Sequence, residues 1–209
     1  MTAHELISVD DPRLGSSTDL SVAVRHLAAA DLVDDAAREH RDTVLAFVRD
    51  HPDAAVRANV EGHLTGSALV VDATATRTLL MLHRKLGRWF QPGGHADGDT
   101  NLAAVALREA TEETGISGLR VAVPAIDVDV HEVRPPAEQP HLHLDVRFLV
   151  VAPAKAHEEG NEESLALRWV TESDLDDLDP PIDLSTRRLV SRGLVVAADL
   201  VRVVPRGNG

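Results

Sequence analysis

The sequence predicts an α/β fold, an α/β/α sandwich built on a mixed sheet and carrying an N-terminal helical extension. Two observations predict it. Apolar residues recur at helical spacing from Thr18 to Asp50, but after His63 they fall into short runs of strand character, several with a period of two. Those runs are interrupted by one apolar-faced helix that follows a Gly-rich loop, and the chain closes on another. A helix placed between strands implies a crossover, and helices on either side of the strand series imply a sheet covered on both faces.

The elements follow in order. Leu20, Val22, Val24, Leu27 and Ala28 make a short first helix after a Ser/Thr/Asp start, and Val33, Ala37, Val44, Leu45 and Val48 form the stripe of a second, stopped by Pro52. LTGSALVVD and TRTLLMLH read as strands joined by a turn through Ala73 to Ala75. GRWFQPGGHADGD reads as loop on its Gly and Pro content. A helix then runs from about Asn101 to Thr114, with Asp99 or Thr100 as N-cap and Gly115 ending it, Ile116 folding back. VAVPAIDVDVHEV and HLHLDVRFLVVA make a hairpin around RPPAEQP, LALRWV a strand, ESDLDDL a short helix, and LSTRRLVSRGLVVAADLV the closing helix. No repeat or low-complexity linker divides the chain, so residues 1–55 are taken as the helical extension and 56–209 as the main domain.

Composition narrows the function. Lys and Arg number 21 against 34 Asp and Glu, a net charge of −13 that repels polyanions and argues against general nucleic-acid binding. A small anionic substrate would need a bridging cation. The chain has no cysteine, which removes disulfides, thiolate metal sites and a cysteine nucleophile and agrees with a reducing compartment. MTAHELISVDDPRLG carries early acids and no long apolar run, so it does not read as a signal peptide, and no stretch reaches the ~18 apolar residues of a membrane span. The expectation is a soluble cytoplasmic protein. Aromatic content is 2% with no tyrosine, leaving Trp89, Trp169, Phe47, Phe90 and Phe148 as the possible base-stacking surfaces.

The chemistry concentrates in GGHADGDTNLAAVALREATEETGI. At 100° per residue, Glu109, Glu112 and Glu113 fall within about 100° of arc as i, i+3 and i+4 neighbours. Like charges so placed cost roughly 0.2 to 0.5 kcal/mol per pair, and the negative end of the helix dipole adds to it. Arg108 can offset Glu112 but not three carboxylates. A hard divalent cation can, and Mg²⁺ is the usual one. A charge run is more often a solvated face, but the opposite side here is Leu102, Ala103, Val105, Ala106, Leu107 and Ala110, and a Gly-rich loop feeds the helix start.

This run resembles the Nudix box, G-x5-E-x7-R-E-U-x-E-E-x-G-U with U a bulky aliphatic. Gly94, Arg108, Glu109, Glu112, Glu113, Gly115 and Ile116 fall in register. Ala110 stands at one bulky position, and Thr100 stands where the box has its first glutamate, with Asp99 one residue and Asp97 three residues early. The wider resemblance, with RWFQPGG leading in, spans about Leu64 to Leu178, so the main domain is expected to be a Nudix hydrolase domain. It implies a Nudix-like fold and Mg²⁺- or Mn²⁺-dependent hydrolysis by water of a nucleoside diphosphate linked to another moiety. The metal would lie on Glu109, Glu112 and Glu113, with Arg108 beside them. Glu109 or Glu163, the latter from the acidic run before the LALRWV strand, would take the proton from water. The other reading of the Thr100 departure is a Nudix-fold module that binds a nucleotide or regulates without cleaving it.

Further positions complete the expected site. His83, Arg84, Lys85 and Arg88 form the dense basic run of the chain, with Arg84 and Lys85 read as a phosphate clamp, Trp89 as a stacking surface and His95 as a cleft residue. A hairpin centred near Ala137 would oppose His131 with His143 and Asp129 with Asp145, and would set Ile126, Val128 and Val130 beside Phe148, Val146 and Leu144. The other face, Asp127, Asp129, His131, His141, His143, Asp145 and Arg147, is then a solvated surface, a polar wall of the substrate cleft or an imidazole metal site. The wall outranks the metal, because alternating histidines bind zinc only where geometry closes around it. The N-terminal helices read as a packed cap or a homodimer element. Within the resemblance, the absence of tyrosine speaks against the diadenosine polyphosphate subgroup, and His131 stands near where the ADP-ribose subgroup has its marker proline. Net charge disfavours RNA decapping, and isoprenoid isomerisation leans on a cysteine.

Overall fold

The computed structural model describes residues 3–135 and 138–203. Its elements are β1 (Glu5–Ser8), α1 (Leu20–Ala29), α2 (Asp35–Asp50), β2 (Gly62–Val71), β3 (Thr78–His83), β4 (Arg88–Phe90), β5 (Gly93–His95), α3 (Leu102–Thr114), β6 (Arg120–Val133), β7 (His141–Val151), β8 (Ser164–Val170) and α4 (Leu184–Val203). Single 3₁₀ turns cover Pro12–Leu14 and Glu172–Asp177.

One mixed sheet runs β1-β6-β7-β2-β3-β4, with β5 added to β2 and β8 to β3. The β2–β7 pair is parallel and registers His63 on His143, Thr65 on Asp145 and Ser67 on Arg147. Strand β2 is buried along its whole length, as a strand covered on both faces must be. On one face α1, α2 and α3 bury Ala23, Leu27, Val44, Val48, Leu102 and Ala106 against Leu64, Val128, Val146 and Phe148. On the other, α4 lays Leu189, Val190, Val196 and Ala197 on Leu69, Ala122, Leu149 and Val151. This is the expected α/β/α arrangement.

Several expectations are corrected. The first 55 residues hold a strand, since β1 pairs with β6 and forms the sheet edge, and their helices pack into the shared core. Val33 precedes α2 and is 61% exposed, so it is outside the buried stripe. The segment read as loop contains β4 and β5, because glycines let β5 lie close along β2. The N-cap of α3 is Asn101, whose amide donates to the carbonyls of Arg13 and Gly15 while its backbone N–H is held by Asp99. Gly115 does end the helix, at φ 66°, where a Cβ would meet the Glu159 carbonyl oxygen at 2.8 Å.

The β6–β7 register is the expected one, His131 on His143 and Asp129 on Asp145, while the hairpin centre at Ala137 lies outside the described residues. The register shifts between Ala122 and Asp127, and that irregularity turns Ile126 to the α4 face, away from Val128 and Phe148.

The carboxylate site on helix α3

The site is assembled where β5 crosses the side of α3. Gly66 on β2 admits the helix closely, its Cβ direction meeting the Leu102 carbonyl at 2.8 Å. The Cβ direction of Gly94 points at the Glu109 carboxylate, so that a methyl there would sit 2.5 Å from Oε2. Glu113 is 5% exposed, and its Oε2 accepts the Gly93 N–H at 3.2 Å. Arg108 donates from Nη2 to Glu109 Oε1 at 2.8 Å. The glycine pair therefore brings bare backbone against two carboxylates of the helix.

Electrostatics follow from this crowding. Burial pushes the Glu113 carboxyl up to about 8, the charges of Glu109, Glu163 and Glu112 adding to the rise while the Gly93 N–H opposes it. Burial also raises Glu109, against the hydrogen bond from Arg108. Glu163 acts on both groups, so the segment before β8 carries it to the same cluster. Glu112 is exposed on the next turn of the stripe, and Asn161 donates to its carbonyl at 3.4 Å. The charges of Glu112 and Glu163 thus bear on both Glu109 and Glu113, and buried acids that resist ionisation are groups a divalent cation would neutralise.

The other predicted residues separate from this group. Arg84 spends Nε on the Glu162 carbonyl at 2.8 Å and Nη2 on the Ser164 carbonyl at 3.0 Å, and its backbone N–H donates to the Glu163 carbonyl. It fastens the Glu163 segment to β3 and is not a free phosphate clamp. Lys85 is exposed in the turn after β3. Trp89 is 6% exposed, packed in the α4-side core with its indole N–H on the Asp179 carbonyl at 3.1 Å, which leaves no ring face for a base. Thr100 is buried and donates its hydroxyl toward the Ser17 and Asp19 carbonyls. Asp97 is held by Arg57 through two bonds of 2.6 and 2.7 Å, and Asp99 accepts the N–H groups of Ser17 and Asn101. None of the three is directed at the α3 carboxylates by these bonds.

The polar face of the hairpin is also not what the alternation suggested. Arg147, 3% exposed, pairs with Asp145 at 2.7 Å, Asp127 at 3.1 Å and Asp129 at 3.2 Å, and Arg188 of α4 closes on Asp127 and Asp129. Helix α4 covers these residues, so they are neither solvated surface nor cleft wall. Beyond its start the same face carries histidines. The His63 ring lies 4.9 Å from His95 and 5.1 Å from His143, with His95 and His143 5.0 Å apart. Successive strand residues point to opposite faces, so His95 faces away from Glu109. Burial lowers His95 to about 4 and His143 to about 2. His63 and Arg57 were not among the expected site residues. Parallel pairing of β2 with β7 places His63, and nothing in the local sequence signals that register.

The family model for the NUDIX domain matches residues 63–192, well over half of the chain. The chain belongs to the NUDIX family. Relatives named phosphatase NudJ, for example from Escherichia coli strain K12, are 30% identical over 115 residues, 54% of this chain and 65% of theirs. The NUDIX chain described here therefore spans just under two thirds of the length of those relatives. Among solved structures, a NUDIX hydrolase from Alicyclobacillus acidocaldarius aligns with TM-score 0.51 at 18% identity, over 72% of this chain and all of that one. A C. elegans Ap4A hydrolase aligns with TM-score 0.52 at 16% identity, over 65% of this chain and 98% of that one. At such identities these structures speak to the NUDIX fold, and it is the fold found here.

Proposed function

We propose that this chain hydrolyses a phosphoanhydride bond in a small nucleotide derivative, a nucleoside diphosphate linked to another moiety, with Mg²⁺ or Mn²⁺ on Glu109, Glu112 and Glu113. The observation that carries the reading is the pairing of Glu109 and Glu113 with the bare backbone of Gly93 and Gly94, both acids raised by burial and by the charges of Glu112 and Glu163. A bound divalent ion would supply charge neutralisation for an anionic substrate and for the phosphoryl oxygens as charge builds on them. The residues do the rest. Arg108 fixes the Glu109 carboxylate, the Gly93 N–H fixes Glu113, and Arg84 anchors the backbone that presents Glu163. Glu163 is exposed beside the cluster and takes the proton of the attacking water.

The deciding experiment is product release from a nucleotide panel with Mg²⁺, comparing the unaltered chain with Glu112→Gln and Glu113→Gln. Losses on the order of 100-fold are expected from each; equal rates in all three sink the reading. Full turnover by Glu163→Gln would remove that residue from the mechanism. The second reading, binding without hydrolysis, draws on Thr100, whose hydroxyl serves the N-terminal segment where the box has a glutamate. Metal-dependent nucleotide binding with no product across the panel would favour it. Two further parts of the proposal rest on simple features. The charge of −13 stands against a nucleic-acid substrate. No helix among the described residues is long and apolar enough to cross a membrane, and a cytoplasmic setting is proposed on the absence of cysteine.

A further inference from the structure

We infer that His63, His95 and His143 form a second metal site, for a first-row transition-metal dication and separate from the carboxylates of α3. One ring nitrogen from each lies within 4.8 Å of the other two. Tetrahedral nitrogen ligands at Zn–N distances of about 2.0–2.1 Å stand ~3.3 Å apart, so closure of this trio needs shifts on the order of 1 Å. Three imidazoles with a fourth position left open is also the ligand count of metal centres that keep an exchangeable position.

The second observation is His63 itself. It is 2% exposed, yet neither ring nitrogen has a hydrogen-bond partner, the nearby Asn59 backbone lying outside bonding geometry. A buried polar group left unpaired is costly, and a metal ion would use the orphaned lone pair. His141 borders the trio, its ring 4.9 Å from His63. Its Nδ1 meets the Gln139 carbonyl at 2.8 Å, which requires the proton on Nδ1 and leaves Nε2 as a lone-pair donor. The trio belongs to the sheet face carrying Asp145 and Arg147, whereas Gly94 turns to Glu109 on the other. Donor chemistry separates the two sites as well, since Mg²⁺ prefers oxygen ligands and imidazole suits Zn²⁺, Co²⁺ and Ni²⁺.

The test is equilibrium dialysis of the full chain against Zn²⁺ under excess Mg²⁺, which occupies the carboxylates. One zinc per chain is expected, weakened at least about tenfold in His143→Gln and in His95→Gln and unchanged in Glu112→Gln. Thermal unfolding checks that each variant is folded, and either histidine variant suffices if the other fails. Co²⁺ in place of zinc should give the intense visible bands of four- or five-coordinate nitrogen ligation. Absence of zinc binding under Mg²⁺, binding that follows Glu112 and not the histidines, or only the weak spectrum of octahedral Co²⁺ would each overturn the site. None of these outcomes depends on turnover, so the hydrolytic reading stands or falls apart from it.

Discussion

Replacing Glu113 by Gln should stabilise the metal-free protein at neutral pH and leave it unchanged in mild acid. The folded carboxyl is pushed up to about 8 from an ordinary 4.5, and the side chain is 5% exposed. Between those values the folded state holds a proton that the unfolded chain has released, so stability falls as pH rises through the window. Going from about pH 5 to about pH 7 the two-state linkage gives a loss of about 2 to 3 kcal/mol, or roughly 5 to 10 °C in midpoint for a chain of this size. Gln keeps an acceptor for the Gly93 N–H and cannot ionise. Histidines of lowered pKa, such as His95 and His143, contribute with the opposite sign. The quantity to measure is therefore the difference between the two chains in urea unfolding with chelator, at both pH values. Saturating Mg²⁺ should erase the advantage of the variant by neutralising the native acid. A difference that does not change with pH, or a variant less stable than the native chain at neutral pH without metal, would show that the carboxylates are not crowded as described.

Other consequences can be checked separately. Arg147→Met should cost about 3–5 kcal/mol in urea unfolding, because Asp145, Asp127 and Asp129 would lose the guanidinium at their centre, leaving Arg188 to face Asp127 and Asp129 with His131 and His40 beside Asp129. Gly94→Ala should weaken Mg²⁺ binding and turnover by displacing Glu109, at a stability cost of about 1–3 kcal/mol. Gly87→Ala, with open space but φ of +59°, should cost about 1–2 kcal/mol and leave Mg²⁺ affinity unchanged by titration. In metal-free protein, His143→Gln should blunt acid destabilisation. The lowered imidazole adds stability above the unfolded value of 6.5 that is lost as pH falls through it, readable as a shallower decline in midpoint.

Helix α3 and the β6–β7 pairing were legible for local reasons. A glycine stop, an apolar face and strict alternation each act over a few residues, and Gly115 and the His131–His143 register follow from them. What escaped depends on distant partners. Strand β1 has four residues, too few to show a period, and is defined by its pairing with β6. Trp89 sits in a three-residue strand whose facing is set by Leu82 and by α4. The polar face of β6 and β7 reads as open because its cover comes from Ser185 and Arg188, more than 35 residues later.

The Thr100 position shows the same limit acting on chemistry. By register it stands where the box has its first glutamate. Its hydroxyl instead donates to Ser17 and Asp19, whose backbone leads into α1, and Asp99 holds the Ser17 N–H. Asn101 adds bonds to the carbonyls of Arg13 and Gly15. Three consecutive residues at the start of α3 are thus committed to docking the N-terminal segment. Buried polar groups in such a network must be satisfied together, so an ionised glutamate at position 100 would face two carbonyl oxygens in a buried site. The departure from the box and the presence of the N-terminal helices are two sides of one packing solution, which leaves Glu109, Glu112, Glu113 and Glu163 as the acids on which the proposed chemistry rests.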